Sequence, residues 1–212
     1  MGRTSDAQQR LVDAARGLIA ARSYHAVGVS DICAHADVRK GSFYHFFESK
    51  QALTCAAIDA HWAAQEADCL RILHAEEPPL RRLRELLDYY VRTQEETKYA
   101  TGTVRGCTLA NITLQLDAEQ GDLRARLADI FDAQVAQILE VLQDAVAAGD
   151  VPAHLASEVT ARAVVAQIEG LVLFARLHDN TSVLAGLHAA VGALLGVPDA
   201  LTDATPGALI TS

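Results

Sequence analysis

The chain has 212 residues, 50% hydrophobic and 21% charged, and a formal net charge of −9 at pH 7. That length suits one compact fold or a small head on a larger body. Its apolar runs stop well short of the ~18 consecutive residues a membrane helix needs, and no basic-then-apolar leader opens it, so a cytoplasmic protein with no membrane partner is expected.

Period-3.6 patterning runs nearly throughout and strand alternation is absent, which makes the fold class all-α with about nine helices. A first helix starts at Ser5 or Asp6, either of which can cap it, with Leu11, Ala15, Leu18 and Ile19 on one face. Gly28 and Ser30 mark a second start, and Asp31 sits where the helix dipole favours an acid. A short helix through Ile32 and Ala36 follows, then a turn at Asp37-Val38 and a short helix over Lys40–Phe46. Ser49 caps a long helix to about His74, whose inner stripe reads Leu53, Ala56, Ala60, Ala63, Ala67 and Leu70. Pro78-Pro79 stops it, since proline lacks the amide donor and restrains its predecessor.

The next helix covers about Leu80–Tyr99, a loop Thr101–Gly106, and a short helix Cys107 to about Leu116. Gly121-Asp122 opens a long helix with Leu123, Leu127, Ile130, Ile138, Leu142 and Ala145 inward, ended by Gly149 in the position beyond the C-cap. Two last helices span about Ala156–Leu177, with Val164, Val165, Ile168, Leu171, Val172 and Ala175 on one side, and about Ser182–Leu195, with Leu184, Leu187, Val191 and Leu194. After Pro198 the composition reads as a loose tail, 199–212. The domains expected are a head at 1–50, joined through the long helix at about 49–74 to a body at 51–198.

Two short helices joined by a tight turn, with a supporting helix before and a long one after, form a helix-turn-helix pattern within a three-helix head. Arg39-Lys40-Gly41-Ser42 open the second short helix, where a recognition helix reaches base edges in the major groove. Gly41 keeps that helix slim. Tyr44, His45 and Lys50 offer donors at phosphate height, although His45 has packing beneath the helix as its alternative, and Ser30 remains a hydroxyl for a phosphate. Phe43, Phe46 and Phe47 read as core of the head, and Cys33 as core too. The overall charge argues against nucleic acid until it is divided. Residues 1–50 hold seven Lys/Arg against five Asp/Glu, a net of +2, which leaves −11 on the rest.

Ala15, Leu18, Ile19, Tyr24, Val29, Ile32, Ala36, Val38, the run Lys40–Phe47, Ser49-Lys50 and Leu53 together resemble the DNA-binding head of TetR-family regulators. The resemblance is densest over Val38–Leu53. It implies a helical-bundle body that binds a small-molecule inducer, a homodimer through the helices at about 156–177 and 182–195, and double-stranded operator DNA as partner. Repression is the sign it implies. Four departures stand out: Ser23 and Asp37 where the family has Gly, Val27-Gly28 for a Thr pair, and Arg39 for a Ser cap. Asp tolerates the left-handed backbone better than most residues, and the Gly28 backbone stays available to a phosphate.

In the body, Trp62, Tyr89, Tyr90, Cys107, Asn111, Phe131, Glu169 and Phe174 are the candidates for a ligand pocket. Glu169, if buried, needs a partner: an inducer, Arg162 or Arg176. Cys107 follows Arg105-Gly106 at a helix start, where a cation and the helix N-terminus favour thiolate, so it is either a sensor of electrophiles or oxidants or a small packed residue. The four cysteines contain no CxxC pair and the histidines no HExxH set, so no metal and no cofactor is expected. No convergent nucleophile and base are spaced for catalysis, which sets an enzyme aside. A helical adaptor would suit the acidic body but leaves Arg39-Lys40-Gly41-Ser42 without a purpose.

Overall fold

The computed structural model describes the backbone of residues 2–202 and side chains from Asp6 onward. Among these residues there are nine α-helices and two 3-10 helices, and no strand. They form two compact units. The first comprises the described residues of Met1–Asp68 together with Cys107–Phe131, and the second those of Cys69–Gly106 with Asp132–Ser212. The first unit therefore runs past the expected boundary at residue 50 and takes in a distant stretch of chain. The reason is local: the helix beginning at Lys50 is continuous, and its buried Ala57 and Ile58 line one cavity with Ile19, Leu109 and Ile112.

In the first unit α1 spans Gly2–Arg22, three or four residues earlier than Ser5 or Asp6 would start it. Its buried face is the expected one, Leu11, Ala15, Leu18 and Ile19. Helix α2, Val29–His35, begins where Asp31 Oδ2 accepts the Gly28 N–H at 2.8 Å. Asp37 then takes φ +50°, the left-handed turn expected of it. Helix α3 is only Lys40–Phe43, shorter than Lys40–Phe46. The chain continues as helix-like turns in which Phe46 and Phe47 both donate to the Phe43 carbonyl. Helix α4, Lys50–Leu73, is capped as expected by Ser49 Oγ, which accepts from Ala52 N–H at 3.0 Å.

The inner stripe of α4 differs from the alanine row. Leu53, Thr54, Ala57, Ile58, Trp62, Cys69, Ile72 and Leu73 are buried, whereas Ala63 and Ala67 are exposed and Ala56, Ala60 and Leu70 only half-buried. Burial follows the large side chains Ile58 and Trp62, which have more apolar area to remove from water than alanine has. Helix α6, Thr108–Thr113, is shorter than expected at both ends. The first half of α7, Gly121–Ala147, buries Leu123, Leu127 and Ile130.

In the second unit α5 spans Pro79–Thr101, with Pro79 in the first turn and Gly102 closing it at φ +80°. The rest of α7 buries Val135, Ile138, Val141, Leu142 and Ala145 and ends at Gly149, φ +80°, as its composition implied. Helix α8 is Glu158–Leu177, capped by Ser157 after a 3-10 turn at Ala153–Leu155. The last expected helix is two pieces, a 3-10 segment Thr181–Gly186 and α9, Leu187–Leu195, with the change of winding at Gly186. The start of the expected tail packs as well. Leu201 is fully buried, and a Cβ on Gly192 would lie 3.0 Å from Pro198 Cα. Residues 203–212 of that tail lie outside the described residues.

Candidate nucleic-acid interface

The head presents one polar row over an apolar base. Phe43 is fully buried and Phe47 nearly so, which fixes α3 from beneath, while Phe46 is half-buried. Arg39 occupies the N-cap position of α3 with extended backbone, and Lys40 and Gly41 are its first two residues; all three are exposed, with Ser42 half-exposed. A Cβ on Gly41 would meet nothing within 4 Å, so internal packing makes no demand for glycine there. Tyr44 is 59% exposed and stands edge-on to Phe43 at 5.1 Å between ring centres. His45 is exposed, which removes its packing alternative, and Ser30 is exposed at the start of α2.

Two expected donors are already engaged. The Gly28 N–H is taken by Asp31, so this amide is not open to a phosphate. Lys50 Nζ donates to the Tyr24 carbonyl at 2.5 Å and lies 4.0 Å from the centre of the Tyr24 ring. Burial pulls the Lys50 ammonium down from the ordinary lysine value. This lysine ties the start of α4 to the α1–α2 loop with one of its three donors.

The same loop is held from another side by a residue that local pattern does not single out. Gln115, just beyond α6, accepts the Tyr24 N–H on its side-chain oxygen at 2.8 Å, and its backbone carbonyl meets His25 Nε2 at 2.5 Å. Its side-chain nitrogen donates back to the Asn111 carbonyl at 2.8 Å. The loop needs such support, because Ser23 carries φ +130°, a value that disfavours any side chain. Glycine in the resembled family fits that backbone; Ser23 partly compensates by accepting the Ala26 N–H at 3.3 Å.

The body candidates separate. Tyr90 and Glu169 line one cavity in the second unit with Gln134, Gln137, Cys69 and Ile168; it measures about 300 Å³ with its open mouth included. Trp62, Tyr89, Cys107, Asn111, Phe131 and Phe174 do not line it. Trp62 is buried in packing at 4% exposure, whereas Phe174 is 51% exposed and stacked on His178 at 6.5 Å. Gln134, which the sequence reading missed, is a buried amide on α7. Arg162 binds Glu158 at 2.6 Å and lies 3.8 Å from Asp132, so it is engaged away from Glu169. Cys107 is half-buried and caps α6, its Sγ accepting the Ala110 N–H at 3.4 Å. None of the four cysteines is in a disulfide, and no group of three or more potential metal ligands forms among the described residues. No helix among them is long and apolar enough to cross a membrane.

Comparison with known proteins covers both parts of the chain. Residues 11–57 match the family model of bacterial regulatory proteins of the tetR family, and residues 79–191 match the tetracyclin repressor-like C-terminal domain. The transcriptional regulator AcuR of Cereibacter sphaeroides is 31% identical over 173 residues, which cover 81% of this chain and 77% of AcuR. The HTH-type transcriptional repressor NemR of Escherichia coli is 30% identical over 144 residues, 68% of this chain and 69% of NemR. A crystal structure of a regulatory protein TetR from Rhodobacter sphaeroides superposes with a TM-score of 0.76 at 29% identity, covering 89% of this chain and 98% of that one. The chain belongs to the TetR family and is a DNA-binding transcriptional regulator, not an enzyme.

Proposed function

We propose that the chain is a cytoplasmic repressor that holds a near-palindromic operator as a homodimer and lets it go when a small molecule binds. The observation that carries the DNA-reading residues is the exposed row Arg39, Lys40, Gly41, Tyr44 and His45, with half-exposed Ser42, above the buried Phe43 and Phe47. Buried rings beneath α3 give its N-terminus the rigidity that groove docking requires. Arg39 is the specificity-bearing residue by its bidentate donors, and Lys40 a phosphate contact. Ser30 adds a hydroxyl at the flank. The relative named as a transcriptional repressor supports the sign.

The dimer forms through α8 and the segment from Thr181 to Leu195. Val159, Leu173, Phe174 and Leu177 are 78%, 52%, 51% and 69% exposed, an apolar row that one copy alone leaves in water. Two heads on a two-fold axis then meet half-sites about 34–36 Å apart or a multiple of that. Release is a population shift in which the inducer favours the DNA-incompetent state by about 1–3 kcal/mol.

The testing experiment measures retention on operator-containing DNA across salt for the wild type and an Arg39→Ala/Lys40→Ala double variant. The lost Lys40 phosphate contact lowers the log–log salt slope by about 0.9, and the lost Arg39 base readout lowers affinity for the operator over random DNA. Equal slopes and equal operator preference would leave α3 without its role. A second route of release is supported by Cys107 at the start of α6: an electrophile adduct on Sγ would remove the cap accepted from Ala110 N–H. Induction by electrophiles that survives Cys107→Ser would end that reading.

A further inference from the structure

We propose that the cavity between α1, α4 and α6 in the first unit binds a small organic carboxylate, and that filling it moves α6 and, through Gln115, the α1–α2 loop of the head. The inference rests on the reading of the chain as ligand-responsive, and names where and to what it responds.

The lining has two kinds of wall. Ile19, Ala57, Ile58, Leu109 and Ile112 are apolar, while Arg16 from α1, His61 and Thr54 from α4, and Thr108 from α6 supply the polar atoms. No acid lines the cavity. The Arg16 guanidinium reaches Asp13 at 3.4 Å, a pair with both side chains about half exposed, so that this acid can be exchanged for a ligand's. Among the described residues no hydrogen bond or ion pair reaches the His61 ring. Burial, and secondarily the Arg16 charge, push its pKa below the ordinary histidine value.

A carboxylate seated between Arg16 and His61 reverses both effects. It accepts charge-assisted hydrogen bonds from the guanidinium, and it favours a proton on the imidazole, so binding takes up a proton as pH approaches His61's range. Arg16 is the charged residue that faces His61 from α1; α6 contributes only Thr108, Leu109 and Ile112 to this wall. A hydrocarbon tail matches the five apolar side chains. The second unit's cavity has the opposite character, with Glu169 and two glutamines and no cation, and disfavours the same ligand.

Size supplies the coupling. The cavity spans about 250 Å³ including its open side, and its enclosed part holds no more than one water. A four-carbon acid therefore enters only if the walls part. Helix α6 is six residues long and is followed directly by Gln115, whose side chain and carbonyl hold Tyr24 and His25. Displacing α6 pulls on the loop between the supporting helix and the reading helices.

The test uses butyrate as probe, with butyramide and butylamine of similar shape, by calorimetry on the full-length protein. Butyrate is expected to bind, the amide and amine at least tenfold more weakly. Its affinity should rise as pH falls from 8 to 6, by at most tenfold per unit for one proton. Arg16→Gln should weaken binding about tenfold or more, His61→Gln should flatten the pH dependence, and Glu169→Gln should change neither. Thermal unfolding of each variant confirms that it is folded. Gln115→Ala should bind butyrate normally but lose the butyrate-induced change in DNA retention.

Butyramide binding as tightly as butyrate, an unaltered pH slope in His61→Gln, or no butyrate binding at millimolar concentration would overturn the assignment. Butyrate binding with every expected signature and no effect on DNA would refute the coupling to the head and leave the carboxylate site standing.

Discussion

Gln115→Ala isolates the tie between α6 and the head. The substitution removes the acceptor of the Tyr24 N–H, a 2.8 Å bond between residues 91 apart in sequence, and leaves the Gln115 carbonyl in place for His25. Tyr24 is only 6% exposed, so water replaces the lost acceptor poorly. A part-buried amide left without its acceptor costs about 1–3 kcal/mol, and the lost bond to the Asn111 carbonyl, four residues back in sequence, adds a few tenths. Because the bond is only part-buried, the expected loss lies in the lower part of that range, about 1–2 kcal/mol, localised at the α1–α2 loop. Hydrogen exchange followed residue by residue reads it directly. The Tyr24 amide should lose about five- to thirtyfold of its protection, while the α8 amides keep theirs. Unchanged protection at Tyr24, in a variant that is otherwise folded, would show that Gln115 does not hold this loop.

Three further outcomes follow from named side chains. Ser23→Gly relieves φ +130° at the cost of an exposed bond to the Ala26 N–H and of chain entropy, and should stabilise by about 0.5–1 kcal/mol in urea unfolding; a destabilised variant would refute the strain. His61 has a folded pKa below its unfolded value, so the unfolded chain binds more protons between the two. Its contribution is therefore complete above about pH 6.5 and lost as pH falls toward the folded value. Urea midpoints at pH 5.5 and 7.5 should differ less in His61→Gln than in the wild type. Phe174→Glu/Leu177→Glu places two charges on the exposed row of α8, and sedimentation should show monomers at micromolar concentration; an intact dimer would move the interface elsewhere.

Helix positions were legible wherever punctuation was chemical. Pro78-Pro79 and Gly149 bound their helices because proline lacks a donor and glycine accepts positive φ, and both properties are local. The break at Gly186 was not legible, since a 3-10 segment and an α-helix share nearly the same apolar spacing. The placement of Arg39–Ser42 at the start of a short helix after the turn was legible from residue type and position. The tie from Lys50 to the Tyr24 carbonyl was not, because the two residues lie 26 apart in sequence. Gln115, Gln134 and the Arg16–His61 cavity were illegible for one reason. Their meaning lies in neighbours far away in sequence, and a single sequence carries no mark of such proximity.

The unit boundaries bear on what the head is. Residues 1–50 contain the three helices that define the DNA-reading pattern, yet the cavity that Ile19 lines also takes Ala57, Ile58, Leu109 and Ile112 from outside that range. Leu53, Ile58, Leu109 and Ile112 are each at most 3% exposed. Burying such a side chain contributes about 1.5–3 kcal/mol, so losing four removes about 6–12 kcal/mol. That matches the whole stability of an ordinary domain, about 5–15 kcal/mol, and a 50-residue chain has little core of its own to replace it. A fragment of residues 1–50 should therefore show no cooperative thermal transition and no operator preference, although every candidate DNA contact is present in it. A fragment that melts cooperatively would mean that α6 and the first half of α7 only cover a self-sufficient head. A fragment of residues 1–73, which adds α4 but not α6, would make α6 part of the structure that reads DNA if it too were unfolded, which is the condition for a ligand against α6 to reach the operator without a separate relay.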